Sequence, residues 1–201
     1  MSQAEARRDD MMGGAAFPAE ADAAILASCA RGDPLSLRWF VVRYQPLVFA
    51  YLSRTLGHGA HVEDLAQDVF LRAFRAIGQF EARGSSRCST WLLTIAANAA
   101  IDFRRRRREV LCDGKTDPDL VDFATPETEH YRGEIGLALQ RAASSLPDEQ
   151  RDAFVLAEFH DLSMEEMAAV AGVPVGTIKA RLSRARARLR ELLGEMWEER
   201  R

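Results

Sequence analysis

The chain has few cysteines, only three in 201 residues, and they stand far apart at Cys29, Cys88 and Cys112. An odd and scattered set excludes a disulfide framework and a zinc site of the Cys-x-x-Cys kind, leaving buried or inert thiols. Lysine is scarcer still. Of 27 positive charges only Lys115 and Lys179 are lysines, a bias that coding alone can produce and from which no function is drawn. Long apolar runs are also missing: none approaches the roughly 18 residues of a membrane span. The polar start "MSQAEARRDDMM" has no apolar signal core behind it, so a cytoplasmic protein is expected. What remains is a soluble globular composition, 47% hydrophobic and 28% charged with a net charge of −3. It suffices for one large domain or two small ones, each burying a modest core.

Charge is unevenly spread. Glu20 to Glu109 carries 13 basic and nine acidic residues, whereas Val110 to Glu134 carries two and seven. The second stretch also holds two prolines, two glycines and no sustained apolar period, which predicts a flexible acidic linker between two domains. Just before it, "NAAIDFRRRRREV" sets five arginines in a row. Such a run reads either as a solvated face or as a footprint for a phosphate backbone, which the arginine fork contacts in pairs.

Ahead of the linker the pattern is helical. Gly32 ends a first helix, and Asp33 with Pro34 offers an N-cap and a proline start for a long second one, kinked or split at Pro46. Val62, Leu65, Ala66, Val69, Phe70, Ala73, Phe74 and Ile77 then form an apolar stripe on one helical face. Beside it runs a polar row, Asp64, Gln67, Asp68 and Arg72, which by pattern alone reads as solvent-facing. A further helix, "STWLLTIAANAAIDF", follows the polar loop "EARGSSRCS" and continues into the arginines, with Asp102 one turn from Arg105 and Arg106. Trp91 and Ile95 read as core.

Beyond the linker Pro147 marks a helix start. Ser163 and Glu166 make a capping box, Leu162 and Met167 a hydrophobic staple, and the helix they begin is expected from about Met164 to Ala171. "GVP" gives a short turn to a last helix, the arrangement of a helix-turn-helix. There Val175, Ile178, Leu182, Ala185, Leu189 and Leu192 seat the helix, while Ala180, Ser183, Arg184 and Ala187 point away. Gly176 to Arg190 carries six positive charges and no acid, which suits a groove and its phosphates.

"EDLAQDVFLRAFRAIGQF", "STWLLTIAANAAIDFRRRR" and "SLPDEQRDAFVLAEFHDLSMEEMAAVAGVPVGTIKARLSRARARLREL" together resemble the extracytoplasmic-function group of the sigma-70 family of bacterial RNA polymerase sigma factors. The resemblance runs from about Ala24 to Leu193. It implies an all-α protein of two small helical domains: a disordered tail over 1–19, sigma domain 2 over 20–109, the linker over 110–134, sigma domain 4 over 135–194 and a tail over 195–201. The implied function is non-enzymatic. An alternative sigma factor directs promoter-specific initiation, domain 2 melting and reading the minus-ten element and domain 4 reading the minus-thirty-five element.

The same resemblance assigns roles residue by residue. Asp64, Gln67, Asp68, Leu71 and Arg72 would dock on the polymerase beta-prime clamp coiled coil, which reverses the solvent reading of that row, while the beta flap is a second polymerase contact. In the loop Glu81 to Ser89, Arg83, Ser85, Ser86, Arg87 and Ser89 would hold a base flipped from the melted single strand. Asn98, paired with Asp102, and Arg104, Arg105 and Arg106 would complete the minus-ten surface. Thr177, Lys179, Ala180, Arg181, Ser183, Arg184, Arg186 and Arg188 would read the duplex minus-thirty-five element. An anti-sigma factor is a further implied partner; no cofactor, metal, catalytic residue or membrane insertion is implied. The chain departs from the group's usual pattern at Cys88, where an aromatic is common, and at Ala180, where serine is.

Two other classes compete. A stand-alone helix-turn-helix regulator would need a ligand pocket, receiver domain or dimerisation helix in place of the N-terminal motifs. A metal enzyme could be built on His58 and His61, but a His-x-x-His in a Gly-rich turn implies no third ligand.

Overall fold

The computed structural model describes residues 21, 23–80, 87–112 and 134–198. Among them eight α-helices follow one another: α1 Ala23–Ala30, α2 Pro34–Leu56, α3 Ala60–Ala76, α4 Cys88–Cys112, α5 Glu134–Ser144, α6 Asp148–Phe159, α7 Met164–Ala171 and α8 Val175–Glu198. A 3-10 turn, Ile77–Gln79, closes α3. The expectation of an all-helical chain therefore holds.

Local chemistry sets several boundaries. The Asp33 carboxylate caps α2 by accepting from the Ser36 amide at 2.9 Å and from its hydroxyl at 2.6 Å, with Pro34 just inside. Pro46 does not split α2, which runs unbroken to Leu56. It lies on the exposed side, as does Val42 one turn earlier, so the carbonyl that loses its donor can turn to water. The capping box of α7 forms as its spacing predicts, and the helix ends at Gly172, whose φ of 63° is left-handed and favours glycine. Its last turn is closed by the Val173 amide donating to the Ala168 carbonyl at 3.1 Å.

Helices α2, α3 and α4 pack on one another around fully buried Phe40, Val48, Leu52, Val69 and Leu92. The α3 stripe supplies much of this core; Phe74 is its half-buried member. Each large apolar side chain so enclosed contributes roughly 1.5–3 kcal/mol. Trp91 and Ile95 are half-buried against it, with Trp91 stacked on Phe80 at 4.6 Å. His61 turns inward and stacks on Phe103 at 5.0 Å.

The second half does not keep to itself. α6 packs on α2 and α7 on α4, so one apolar cluster runs from Phe40 and Leu93 through Leu156, Met167 and Ile178. A smaller cluster, Ala142, Leu146, Phe154, Ala185 and Leu189, holds α5, α6 and α8 together. Arg151 ties the seam: buried, it donates to the carbonyls of Ser144 at 2.6 Å, Leu146 at 2.8 Å and, across the halves, Thr55 at 2.9 Å. Arg54 lies over the Phe159 ring at 4.4 Å. α4 extends to Cys112, two residues past the start of the expected linker; residues 113–133 and the tail 1–19 lie outside the described residues.

Candidate nucleic-acid interface

Three surfaces carry the residues singled out from the sequence. On α3, Asp64, Gln67 and Leu71 are exposed and Asp68 and Arg72 half-exposed, one face at three- and four-residue spacing. Asp68 pairs with Arg72 at 2.6 Å. Arg72 also reaches Asp102 on α4 at 3.8 Å, and Asp102 accepts from Arg105 at 3.2 Å. A chain of alternating charge thus joins the two helices. Leu71, 53% exposed at the edge of this row, adds an apolar contact point to an otherwise charged face.

Along α4, Asn98, Arg105 and Arg106 are exposed and Ser89 half-buried. Arg104 departs from them. It is 9% exposed, donates from Nη1 to Asp152 Oδ1 at 2.9 Å, and binds the second oxygen with Nη2. Five consecutive arginines sweep more than a full turn at 100° per residue, so one must follow the buried stripe of Ala97 and Ala100, and Arg104 is that one. Burial pushes the Asp152 carboxyl up, against the pull of Arg104. Arg87 is exposed but engaged: both its Nε and Nη2 donate to Glu166 at 3.1 Å. Thr90 Oγ1 donates to the same carboxylate at 3.1 Å. These bonds, first that of Arg87, hold Glu166 down at about 2. Arg83, Ser85 and Ser86 lie outside the described residues.

On α8 the two faces separate as the spacing predicts. Ile178, Leu182, Ala185 and Leu189 are buried; Lys179, Ser183, Arg184 and Ala187 are exposed; Thr177 and Ala180 are half-buried. Small residues at the outward positions leave the backbone close to whatever docks there. The flanking arginines are anchored, Arg181 to Glu149 at 2.9 Å, Arg186 to Glu158 at 2.7 Å and Arg188 to Glu191 at 3.0 Å. Arg181 is the correction here: its side chain is only 19% exposed because it leans back on the first turn of α6. Arg184 makes no ion pair among the described residues and stands at the mouth of a cleft beside Pro147, Gly176 and Thr177.

Sequence reasoning missed Asp148, Asp152 and Glu166 as partners of these cations. A signal was there. Asp148 and Asp152 repeat the four-residue spacing of Arg104 and Arg108, and Arg108 reaches Asp148 at 3.2 Å. The capping box had already accounted for Glu166, which concealed its second role. Among the described residues no group of three metal-ligating side chains assembles, and no helix is long and apolar enough to cross a membrane.

Residues 40–110 match the family Sigma-70 region 2, and residues 136–189 match Sigma-70, region 4. The RNA polymerase sigma-H factor of Pseudomonas aeruginosa is 31% identical over 196 residues, covering 90% of this chain and 97% of its own length. The ECF RNA polymerase sigma-E factor of Escherichia coli is 32% identical over 181 residues, 82% and 90% of the two chains. Among solved structures, the sigma factor RpoE of Bartonella quintana in complex with the anti-sigma factor NepR aligns with TM-score 0.65 and 31% identity over 78% of this chain and 96% of its own. CnrH in complex with the cytosolic domain of CnrY aligns with TM-score 0.61 and 25% identity, over 85% and 96%. With both family regions in order on a helical scaffold of this length, the chain belongs to the extracytoplasmic-function sigma factors of the sigma-70 family, proteins of transcription initiation.

Proposed function

We propose that this sigma factor divides promoter recognition between its two basic helices. The α4 surface, Ser89, Asn98, Arg105 and Arg106 with Arg87 and the loop residues Arg83, Ser85 and Ser86, takes the melted minus-ten strand. Arg104 joins it when freed from Asp152. The outward face of α8 takes the duplex minus-thirty-five element: Thr177, Ala180, Ser183 and Arg184 meet base edges, while Lys179, Arg186 and Arg188 meet the flanking phosphates, joined by Arg181 when it leaves Glu149. The observation that carries this reading is that α8 buries Ile178, Leu182, Ala185 and Leu189 and exposes Lys179, Ser183, Arg184, Arg186, Ala187 and Arg188. The α3 row, Asp64, Gln67, Asp68, Leu71 and Arg72, docks on the beta-prime clamp coiled coil of core polymerase, and the second half on the beta flap. An anti-sigma factor is a further partner, supported by the RpoE neighbour solved with one. The protein acts in the cytoplasm without a cofactor and without catalysis of its own.

Transcription by core polymerase with and without the protein, with start sites mapped across a genome, tests this reading. A set of starts that depends on the protein and shares two upstream elements is expected; no added starts would refute it. Reversing both Asp64 and Asp68 to Lys tests the docking face. We expect core-polymerase affinity to fall at least tenfold with helicity by circular dichroism unchanged, because both side chains lie off the buried stripe. Unchanged affinity would leave the row merely solvated.

A further inference from the structure

A cleft of about 190 Å³ lies where α2, α4, α6 and α8 meet, with Tyr51, Ala97 and Ile101 on one wall and Ala153, Leu156 and Ile178 on the other. None of these six side chains belongs to the promoter faces or to the polymerase row. Five are apolar. The sixth, Tyr51, is fully buried, and its hydroxyl has no hydrogen-bond partner among the described residues. Burial, with the Asp152 carboxylate second, pushes the Tyr51 pKa up, so the group stays a neutral hydroxyl, donor and acceptor at once. A buried hydroxyl is costly to leave unpaired, which makes it a binding handle in an otherwise apolar cavity.

The charged side chains of the lining select against a charged occupant. Each cation among them is already paired with a carboxylate of the same lining: Arg104 with Asp152 at 2.9 Å, Arg108 with Asp148 at 3.2 Å and Arg181 with Glu149 at 2.9 Å. Three charges of each sign leave the lining neutral, and an ion would have to break one pair to gain another. Size narrows the choice further. A cavity of about 150 Å³ walled by apolar side chains takes up benzene, so the space here suits one six-membered ring with an added atom or two. A single water, whose share of liquid volume is about 30 Å³, would satisfy Tyr51 while leaving most of the apolar wall without a partner.

We infer that this cleft is a binding site for a small neutral aromatic molecule bearing one hydroxyl, its ring held between Ala97 and Leu156 and its hydroxyl bonded to Tyr51. The walls come from four helices, so an occupant adds contacts to each of them and stabilises the folded chain by mass action. The chain then responds directly to a compound of this class. The site is separate from promoter recognition, and either can fail without the other.

The test uses the full chain, as wild type, Tyr51→Phe and Ile101→Trp, titrated with phenol, toluene and benzoate and followed by amide shifts in nuclear magnetic resonance spectra. Tyr51→Phe removes only the hydroxyl and keeps the ring against His160. Ile101 is 47% exposed at the edge of the cleft, so a tryptophan there can fill the space from the solvent side. In wild type phenol should give saturable shifts at the amides of Ala97 and Ala153, with a Kd of about 1 mM or tighter, and benzoate none. In Tyr51→Phe the ratio of phenol to toluene affinity should fall about fivefold, as loss of one hydrogen bond does. In Ile101→Trp neither compound should bind. A wild type without saturable shifts holds only solvent in the cleft, which overturns the inference. So do benzoate binding as tight as that of phenol and an unchanged phenol-to-toluene ratio in Tyr51→Phe. Should Ile101→Trp lose helicity by circular dichroism, Tyr51→Phe alone decides, and an unchanged ratio there overturns the site.

Discussion

Helices α4 and α8 are both rich in arginine, yet they use it differently. In α4 the five arginines are consecutive and circle the helix, so Arg104 is driven inward and answered by Asp152 while Arg105 and Arg106 stay exposed. In α8 the arginines fall at 181, 184, 186, 188 and 190, interleaved with Leu182, Ala185 and Leu189 on the buried side. None enters the apolar stripe. Spacing, more than number, decides whether a cation becomes part of an interior seam or of an exposed outer face.

The largest expected effect lies at the seam and concerns a base that stays neutral. His160 packs against Tyr51 at 5.8 Å, and neither ring nitrogen has a hydrogen-bond partner among the described residues. Burial, with the nearby Arg54 cation second, lowers its pKa from 6.5 to about 4. The unfolded chain therefore binds a proton there before the folded one does. Stability contributed by the neutral ring is complete above pH 6.5 and is lost as pH falls towards 4, by up to roughly 3 kcal/mol. Urea denaturation at pH 7 and pH 5 should show this loss in wild type and a smaller one in His160→Gln. Identical pH slopes would remove His160 from the account and weaken the contrast between seam and surface.

A somewhat smaller effect compares neighbours within the arginine block. Arg104→Ala leaves Asp152 buried without its counter-ion and should cost about 2 to 3 kcal/mol, less than the full cost of breaking a rigid buried pair because the seam can part. Arg105→Ala removes only a surface pair with Asp102 and should stay within about 0.5 kcal/mol. Denaturant midpoints of the two variants give the comparison directly. Equal midpoints would mean that the inward turn of Arg104 carries no energetic weight.

Much of this was legible in the chain itself, for local reasons. The Ser163 and Glu166 capping box, the Gly172 turn, the Asp33 cap with Pro34 and the α3 and α8 stripes all depend on neighbours three or four residues apart, and each appears where its spacing places it. Of the two outcomes expected at Pro46, a kink or a split, the split does not occur, since a proline on the exposed side of a helix need not break it. The cross-half contacts were not legible. Arg104 and Asp152 are 48 residues apart, and Arg87 and Glu166 are 79 apart. No periodicity connects such pairs, because they depend on how α6 and α7 dock on α2 and α4. The fold class and both arginine-rich helices could thus be read from sequence, whereas the ion pairs that engage their arginines required the structure.

The central claim is that the two basic helices read different parts of one promoter. A promoter-library selection with core polymerase, carried out with Arg184→Ala and with Arg105→Ala across a salt series, addresses it most directly. Arg184→Ala should cost about 1 to 3 kcal/mol at the preferred upstream element and relax the preference there, as loss of a base-reading side chain does. Arg105→Ala should weaken open-complex formation on all promoters alike and lessen its salt dependence, because fewer counter-ions are released. If Arg184→Ala instead weakened every promoter equally while Arg105→Ala relaxed preference at the upstream element, the division of labour between α8 and α4 would be contradicted.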